Sequence, residues 1–325
     1  MLIGVLKRTL AVTVLATLSF SAFAQDKVTV AYFLEWPTPN QVAQVDGTYD
    51  KELGVPVEWR VFGNGNEMTQ AMVSGDIDIA YSIGFPTYLV GAANGAPVKM
   101  VGVAVTYADN DLCIVRDDSG ITKDNAKELE GKKVATTIGN ITHYKLMEML
   151  KYLKVDASKV DLVQMNPADA AVALVRGDVP MACAFGGALD RMREVGKPLM
   201  TGAESEAIGL KTFDVISVTE QFASEHPDLV KKFLAVTDKA NADFKANPDQ
   251  YYEKIAKAAG MDLEATKSMM GNFGFPTNEE QASKDWLGGG NQAAAGGIVE
   301  VMKAAGSIDK GLDDYGKVID PSYLQ

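Results

Sequence analysis

The chain has 325 residues, 47% of them hydrophobic, and its 31 basic and 43 acidic residues give a formal net charge of −12. This length is sufficient for two hydrophobic cores, and the acidic balance argues against nucleic acid or an anionic membrane as a partner. The negative net charge does not exclude a small anionic ligand, because local backbone dipoles can bind an anion.

The first 24 residues have the pattern of a secretory signal peptide. The basic pair Lys7-Arg8 precedes an apolar run over residues 9–20, and Ala22-Phe23-Ala24 is a small-x-small cleavage site. The run is too short to span a bilayer. We therefore expect export, cleavage near Ala24 and a periplasmic location.

The first third of the remaining chain alternates between strands and helices. The predicted strands are Val28–Phe33, Val55–Val61, Ile77–Tyr81, Val98–Tyr107 and Leu112–Arg116, and the predicted helices are Asn40–Leu53 and Asn66–Val73. This alternation predicts right-handed βαβ units and a parallel sheet. We interpret the polar break Ala108–Asp111 as the first crossing between two lobes.

A second set of units follows. Its predicted strands are Lys132–Thr137, Val160–Gln164, Met181–Phe185 and Phe213–Thr219, and the helices are His143–Leu153, Pro167–Val175, His226–Ala246, Pro248–Ala259, Leu263–Asn272 and Asn291–Ala305. The segment 203–211 is interpreted as the return crossing. The strand Phe213–Thr219 then lies in the first lobe. The C-terminal helices should pack around that lobe.

A short pattern occurs twice, in Met72–Ala80 and Leu174–Ala182. Each copy ends an apolar helix with a Gly-Asp turn and then enters a strand. Gly adopts the left-handed conformation that closes a helix, and an Asp carboxylate can bond the turn backbone. The strands lead into Gly-containing segments, 82–86 and 185–187, at the edge where open α/β sheets bind ligands. The repeat predicts two similar lobes that face each other across a cleft.

Eight short segments carry a resemblance to a known family. They are Val28–Tyr32, Val42–Gln44, Ser74–Asp76, Gly131–Ala135, Thr142–Tyr144, Arg176–Asp178, Phe213–Val215 and Phe222–Pro227. With these segments the chain resembles the periplasmic substrate-binding proteins of the taurine, alkanesulfonate and nitrate group of ABC importers. Thr142–Tyr144 and Phe213–Val215 are the segments more particular to the taurine branch.

The resemblance implies an α/β protein with the two-lobed periplasmic-binding-protein fold of type II topology and a ligand cleft between the lobes. Residues 1–24 would be the signal peptide, 25–108 plus 212–325 lobe I, and 109–211 lobe II. It also implies a non-enzymatic protein that binds a small zwitterion, such as taurine or a related amino-sulfonate, and delivers it to an ABC permease in the inner membrane. We expect a monomer without a cofactor.

The chain departs from the family pattern where the ligand is expected. Phe185 and Gly187 stand where the taurine branch has Trp and Pro, Glu67 where it has Ser, and Ile216 where it has Trp. That branch has no equivalent of Glu35-Trp36. The ligand is therefore less firmly implied than the class of function.

The loop from Thr137 to Thr142 is the candidate site for the acidic end of a ligand. Thr137, Asn140 and Thr142 lie where a strand meets a helix, so free N–H groups and the positive helix end favour an anion, and His143 can add a donor. Alternatively, Asn140 or Thr142 is an ordinary helix cap. The two roles are compatible.

Acidic and aromatic residues are the candidates for a cationic end. Glu35 beside Trp36 suits an ammonium group, although they could equally be a solvated acid and a core aromatic. Asp214 lies in an apolar strand, where a carboxylate needs a cation or several donors, and it matches the family position that takes the amine. Glu67 begins a helix, where its charge is favourable by itself.

Further candidates lie at predicted strand ends and helix starts. The aromatic residues on the expected cleft side are Tyr32, Phe33, Tyr81, Phe85, Tyr107 and Phe185. Of these, Tyr81, Phe85 and Phe185 are assigned to the ligand site, together with Asn66 and Gly84. If the aromatic side chains line the cleft, the ligand carries methyl groups or a ring.

The two cysteines and two histidines predict no metal site. Cys113 and Cys183 fit no metal-ligand spacing, and His143 and His226 are far apart in the sequence. Export would permit a disulfide, yet each Cys lies in an apolar run where it also packs as a small hydrophobe. Both interpretations stay open.

Three other functions remain as alternatives. The ligand could be another small amine, a betaine or an aromatic molecule. The same lobe pattern occurs in enzymes of thiamine-pyrimidine synthesis, but these work in the cytosol with reactive His, Lys or Cys groups. A ligand-sensing subunit of a membrane receptor has no sequence feature that separates it from an importer subunit.

Overall fold

The structure is a computed structural model and describes residues 27–324. The predicted signal peptide lies outside the described residues. The strands are β1 (Val28–Tyr32), β2 (Val57–Val61), β3 (Ile79–Gly84), β4 (Val98–Tyr107), β5 (Asp111–Arg116), β6 (Lys133–Thr136), β7 (Asp161–Gln164), β8 (Met181–Phe185), β9 (Gly196–Pro198), β10 (Thr212–Thr219) and β11 (Phe273–Gly274).

Helices surround these strands. The α-helices are α1 (Asn40–Val45), α2 (Thr48–Leu53), α3 (Gly65–Val73), α4 (Phe85–Ala93), α5 (Ile141–Tyr152), α6 (Pro167–Arg176), α7 (Gly186–Arg193), α8 (Gly202–Ala207), α9 (Glu220–Glu225), α10 (Pro227–Ala246), α11 (Tyr252–Ala259), α12 (Leu263–Met270), α13 (Asn278–Gln281) and α14 (Gly290–Ala304). Short 3-10 helices are Asp117–Ser119, Ala126–Leu129, Ala157–Lys159, Pro248–Gln250, Tyr315–Lys317 and Pro321–Tyr323.

The strands form two separate sheets. Their orders are β11-β4-β10-β3-β1-β2 and β7-β6-β8-β5-β9. In each sheet three neighbouring strands are parallel, β2-β1-β3 and β7-β6-β8, as the alternation of helices and strands predicts. The neighbouring strand, β10 or β5, runs antiparallel, so both sheets are mixed rather than parallel. The α/β class is confirmed.

Both copies of the repeated pattern close a helix in the same way. In the turns Ser74–Asp76 and Arg176–Asp178 the glycine has φ of +80° or +81°. The N–H of the aspartate donates to a carbonyl at the helix end at 2.9 Å. The expectation that the carboxylates bond the turn backbone is wrong. They contact the side chain two residues earlier, Ser74 or Arg176, because the backbone donors are already used.

Several predicted elements differ from the structure. The single helix predicted for 40–53 is two helices, because Gly47 takes a left-handed φ of +64° and breaks the run. The Gly-containing segments 82–86 and 185–187 contain the ends of β3 and β8 and the first residues of α4 and α7, so each strand leads directly into a helix. The return crossing contains α8, which the capping box of Thr201 and Glu204 begins.

Three clusters of buried side chains form the cores. One cluster joins the first sheet to the helices packed on it and includes Tyr49 of α2, Tyr88 of α4 and Phe233 of α10. The second sheet has one cluster on each face, around Leu150 and around Leu174. The C-terminal helix α10 packs on α1 and α2, as predicted, but α14 packs on α4 and also on α5 of the second set of units.

Two crossings join the sheets, and they are bonded to each other. Tyr107 ends β4 and Asp111 begins β5 in the first crossing, and the second one leads from β9 through α8 to β10. The Thr212 hydroxyl donates to the Tyr107 carbonyl at 2.5 Å, and the Gly202 N–H donates to Asp109 Oδ1 at 2.7 Å. The predicted lobe boundaries at 108/109 and 211/212 stay a prediction.

None of the helices within residues 27–324 has the length and apolar character needed to cross a membrane. 

Cys113 and Cys183 form a disulfide. They lie directly opposite each other in the antiparallel pair β5 and β8, with their Cα atoms 3.9 Å apart. Both cysteines are also buried. They therefore form a disulfide and pack in the core, and the two interpretations are compatible. The bond ties the crossing strand to the middle of the second sheet.

We expect replacement of both cysteines by alanine to lower the free energy of unfolding by ~2–4 kcal/mol, because the bond closes a long loop in the unfolded chain. The two cysteines are 70 residues apart in the sequence. Urea unfolding of the oxidised wild type and the double variant measures the difference. Equal midpoints would contradict a stabilising disulfide.

Candidate ligand-binding site

A small cavity lies between the two sheets at the carboxyl ends of their parallel strands. Its volume of about 10 Å³ has room for roughly one water molecule. Both sets of units contribute to its wall. The lining residues are Phe33, Trp36, Gly65, Ser82, Gly84, Tyr107, Asn140, Ile141, Phe185 and Asp214.

Asp214 is the charged residue of this cavity, and it is 3% exposed. The Tyr107 hydroxyl donates to Asp214 Oδ1 at 2.6 Å, and the Ser82 hydroxyl donates to Oδ2 at 2.8 Å. Trp36 Nε1–H donates to Ser82 Oγ at 3.0 Å and completes a chain of neutral donors. No ion pair involves Asp214 in the described part of the chain. The carboxyl group is satisfied by hydrogen bonds but not neutralised.

Ser82 reaches Asp214 because of an irregularity in the sheet. β10 pairs Val215 with Ile83 and Ile216 with Tyr81, so Ser82 is bulged out of the ladder. Its φ is +75°, a conformation that residues other than glycine adopt at a cost of ~1–3 kcal/mol. The bulge places its hydroxyl between Trp36 and Asp214.

The environment of Asp214 favours the protonated acid. Burial raises the pKa of Asp214 to about 7, against the lowering effect of hydrogen bonds from Tyr107 and Ser82. The negative charge of the buried Asp111 raises the pKa of Asp214 further. Burial also raises the pKa of Tyr107 well above its usual value, so the Tyr107 hydroxyl keeps its proton and remains a donor.

Three helices begin at the cavity wall. Gly65 is the first residue of α3, Gly84 precedes α4, and Asn140 and Ile141 begin α5. The backbone N–H groups and positive dipole ends of helix N-termini attract anions. The cavity wall therefore contains one carboxyl group and three helix N-termini, and Gly84 at one of these is the direct strand partner of Asp214.

The two lobes are in close contact around this cavity. A Cβ atom on Gly84 would lie only 2.7 Å from Ile141 Cβ, so the approach depends on glycine. The Thr87 hydroxyl donates to Asn140 Oδ1 at 3.1 Å and accepts from the Ile141 N–H at 2.9 Å. Asn140 also accepts from that N–H and caps α5. Thr87 and Asn140, one from each lobe, thus both accept from the first N–H of α5.

Five predicted site residues line the cavity together. They are Trp36, Gly84, Asn140, Phe185 and Asp214. Phe33 and Tyr107 also line it, and the sequence placed them only among the aromatic residues of the cleft side. Gly65, Ser82 and Ile141 have no distinct signal in the sequence, because their positions depend on pairing and closure of distant segments.

Three other predicted residues lie at the rim of the interlobe contact. Glu35 has φ of +52° and forms an ion pair with Arg191 of α7 at 3.1 Å. Asn66 donates from Nδ2 to the Ile138 carbonyl at 2.8 Å. Glu67 accepts from Asn166 at 3.2 Å across the cleft. These side chains bond the lobes to each other and do not reach the cavity that contains Asp214.

Tyr81 and Phe85 are core residues behind the cavity. The Tyr81 hydroxyl donates to the Ala104 carbonyl at 3.5 Å, and the side chain is 2% exposed. Phe85 stacks on Phe213 with ring centroids 4.8 Å apart. They support the strand and helix that line the cavity.

The predicted anion loop is mostly engaged within its own lobe. Thr137 donates to the Met165 carbonyl at 2.9 Å, and Thr142 donates to Asp111 Oδ2 at 3.1 Å. His143 Nδ1 accepts from the Gly139 N–H at 3.2 Å, and burial lowers the pKa of His143 to about 4. Of this loop, the predicted residue that lines the cavity is Asn140.

Asp111 carries the second buried acid near the crossing. The ammonium group of Lys145 lies 3.9 Å from Asp111 Oδ1 and also donates to the Asp111 carbonyl. Burial raises the pKa of Asp111, against the effect of Lys145. This pair attaches α5 to the crossing and lies outside the cavity. Within residues 27–324, no group of three or more His, Cys, Asp or Glu could hold a metal ion.

Comparison with known proteins gives consistent results. A family described as NMT1/THI5 like matches residues 38–251. The chain is 28% identical over 321 residues to the taurine-binding periplasmic protein of Escherichia coli K12, covering 96% of this chain and 98% of the relative. It is 26% identical over 236 residues to the putative aliphatic sulfonates-binding protein of Bacillus subtilis 168, covering 72% and 69%.

Solved structures share the fold. The periplasmic aliphatic sulphonate binding protein SsuA of Escherichia coli has a TM-score of 0.73 at 19% identity, covering 93% of this chain and 94% of that one. The desulfurization enzyme DSZB has a TM-score of 0.62 at 14% identity, covering 92% and 98%. The two-lobed fold and the resemblance to the taurine-binding relative are confirmed.

The pKa of Asp214 predicts a pH effect on the stability of the unliganded protein. Its value of about 7 is above the ordinary value of 3.8, so the folded state binds the proton more tightly than the unfolded state. Stability therefore falls as pH rises from about 4 to 7, by up to ~1.4 kcal/mol per pH unit, and is level above that range.

Urea unfolding of wild type and Asp214→Asn between pH 5 and pH 8 measures this effect. We expect the wild type to lose more stability than the variant over this range. The raised pKa of Asp111 acts in the same direction in both proteins, so only the difference reports on Asp214. Parallel pH profiles would contradict a raised pKa of Asp214.

Proposed function

The chain belongs to the NMT1/THI5-like family, and from this premise we propose that it is the exported, periplasmic substrate-binding component of an ABC importer. It binds a small zwitterion, taurine or a related amino-sulfonate, and passes it to a membrane permease without chemical change. The support is the relative named as taurine-binding, which aligns with 96% of this chain.

The observation that carries the proposed ligand is the polarity of the cavity. Asp214 supplies a buried carboxyl group bonded only to neutral donors, so a cation is the missing charge. Aromatic rings of Trp36, Tyr107 and Phe185 surround it and can face an ammonium group. In this proposal the ligand amine binds there as a charged group.

The acidic end of the ligand would face the helix starts in the cavity wall. Because Thr137, Thr142 and the Ile141 N–H are bonded elsewhere, the contribution of the predicted loop reduces to Asn140. The starts of α3 and α4 at Gly65 and Gly84 add further positive ends. A sulfonate is a good match for several N–H groups because it has three acceptor oxygens.

Binding without chemistry is favoured over an enzyme of the same fold. The cavity wall contains no His, Lys or Cys in the described residues, and both cysteines of the chain are bonded to each other. The fold of DSZB alone does not transfer its chemistry to this chain. Recovery of altered taurine after prolonged incubation with the protein would overturn the proposal.

The central test compares Asp214→Asn with wild type by calorimetry, using taurine and ethanesulfonate. Loss of one partner of a desolvated charge pair costs ~2–5 kcal/mol, so the variant should bind taurine about thirtyfold or more weakly. Ethanesulfonate has no amine, and its affinity should not fall. Equal losses for both ligands would remove Asp214 from the amine site.

The pH dependence of the wild type provides a control. Since the pKa of Asp214 is about 7, taurine affinity should be level above pH 7 and fall as pH drops below it, whereas ethanesulfonate should lack this fall. If neither compound binds at any pH, the ligand is a different small molecule, and betaines and other amines are the next to test.

Gly84→Ala tests whether the closed arrangement binds the ligand. Its methyl group would lie 2.7 Å from Ile141 Cβ and keep the lobes apart. Overpacking of ~1–3 kcal/mol predicts a loss of taurine affinity of about fivefold or more. Gly296→Ala in α14 is the matched control, because its Cβ meets no atom within 4 Å. Unchanged affinity in Gly84→Ala would mean that binding does not need this contact.

A further inference from the structure

Ser82 has a backbone conformation that is unusual for its place in the fold. Within residues 27–324, the residues other than glycine with positive φ are Glu35, Ser82 and Lys154. Lys154 follows the end of α5 on the surface, where a left-handed residue commonly closes a helix. Ser82 instead lies inside the buried strand β3, with φ of +75° and 1% of its surface exposed.

The backbone at position 82 suits glycine better than serine. Ser82 is the extra residue of the β-bulge between β3 and β10. Glycine reaches positive φ without steric cost, and it occupies the left-handed position of one common type of bulge. A serine in this conformation is strained, and such strain is typical of positions that serve a site. The side chain of Ser82 therefore needs a use that glycine could not supply.

The hydroxyl proton of Ser82 is directed at Asp214 by Trp36. An indole N–H only donates, so Ser82 Oγ accepts in its 3.0 Å hydrogen bond with Trp36 Nε1. A hydroxyl group has one proton, and that of Ser82 is donated to Asp214 Oδ2 at 2.8 Å. The two hydrogen bonds thus fix the direction of this donor as well as its position.

This donor favours the charged form of Asp214. Hydrogen bonds to a carboxylate lower its pKa, and those from Tyr107 and Ser82 oppose the effect of burial on the pKa of Asp214. Tyr107 donates to Oδ1, whereas Ser82 donates to Oδ2. Without the Ser82 hydroxyl, Oδ2 would lose this donor and Asp214 would ionise less readily.

We propose that Ser82 is a positioning residue whose strained backbone is retained because it holds a hydroxyl proton on the carboxyl group that binds the ligand amine. The inference rests on the proposed function and adds a residue that acts on the ligand through Asp214. It implies that glycine at position 82 would relax the backbone and weaken the binding of an amine.

The other titratable groups around the buried acid are the same in wild type and in a variant at position 82. Burial raises the pKa values of Tyr81 and Tyr107 well above the usual range, so both stay protonated. The negative charge of Asp111 raises the pKa of Asp214, and Lys145 pairs with Asp111. A difference in pH dependence between wild type and variant therefore reports on position 82.

Calorimetry of Ser82→Gly and Ser82→Ala with taurine and ethanesulfonate tests the proposal. Both variants lack the hydroxyl, and Ser82→Gly also lacks the strain, so misfolding does not explain a loss of binding in it. We expect each variant to bind taurine about tenfold more weakly, because a hydrogen bond to a charged group is lost. Both should keep the wild-type affinity for ethanesulfonate, which has no amine.

The pH dependence separates a positioning role from a merely structural one. The fall in taurine affinity towards low pH should begin about half a pH unit or more higher in both Ser82 variants than in wild type, because a donor to the carboxylate is missing. Ser82→Gly should also melt at a higher temperature than Ser82→Ala, since only the alanine variant keeps the strain. The reverse order of melting would overturn the strain and the proposal with it.

Lys154→Gly is the matched control. It places glycine at another left-handed position, but Lys154 is exposed at the end of α5 and does not line the cavity. It should change neither the taurine affinity nor its pH dependence. An unchanged pH dependence in Ser82→Gly, or equal losses for both sulfonates, overturns the positioning role and leaves the proposed function intact. If wild type binds neither sulfonate, the proposed function and this inference fail together.

Discussion

Burial of the Asp214 carboxyl group is the constraint on which the centre of this protein depends. A buried acid without a cation needs every donor that can reach it, and here Tyr107 and Ser82 provide these donors. Ser82 reaches it only through a left-handed bulge, and Trp36 in turn bonds Ser82. Burial nevertheless raises the pKa of Asp214 to about 7, so these donors do not offset the cost of a buried negative charge. In the proposed function, a ligand ammonium group would favour the ionised carboxylate.

The repeated helix–turn–strand unit explains why the charges lie where they do. Parallel strands that alternate with helices bring all helix starts to one edge of each sheet. When two such edges face each other, helix starts from both lobes meet at one cavity, as those of α3, α4 and α5 do. The antiparallel strand β10 crosses back into this arrangement and brings Asp214 to the same place. Positive helix ends and one acid follow from the topology.

The sequence could predict features that depend on local chemistry. An acid in an apolar strand and aromatic residues at strand ends identify Asp214 and Phe185, and two Gly-Asp turns identify the repeat. Ser82 could not be found, because its bulge depends on the pairing of strands distant in the sequence. Glu35 was associated with its neighbour Trp36, but its positive φ directs it to Arg191 instead. Thr142 faces Asp111 because the rotation of α5 about its axis is set by packing.

The bonded crossings have a mechanical consequence. The two linkers lie side by side and are bonded to each other, by Thr212 to Tyr107 and by Gly202 to Asp109. We expect them to bend together as one two-stranded hinge. Such a hinge bends readily about one axis and resists twisting and sliding. Lys145 of α5 donates to the Asp111 carbonyl and so attaches one end of the hinge to the second lobe. We therefore expect any separation of the lobes to occur mainly as one rotation, with the facing walls of the cavity returning to the same alignment when they meet again.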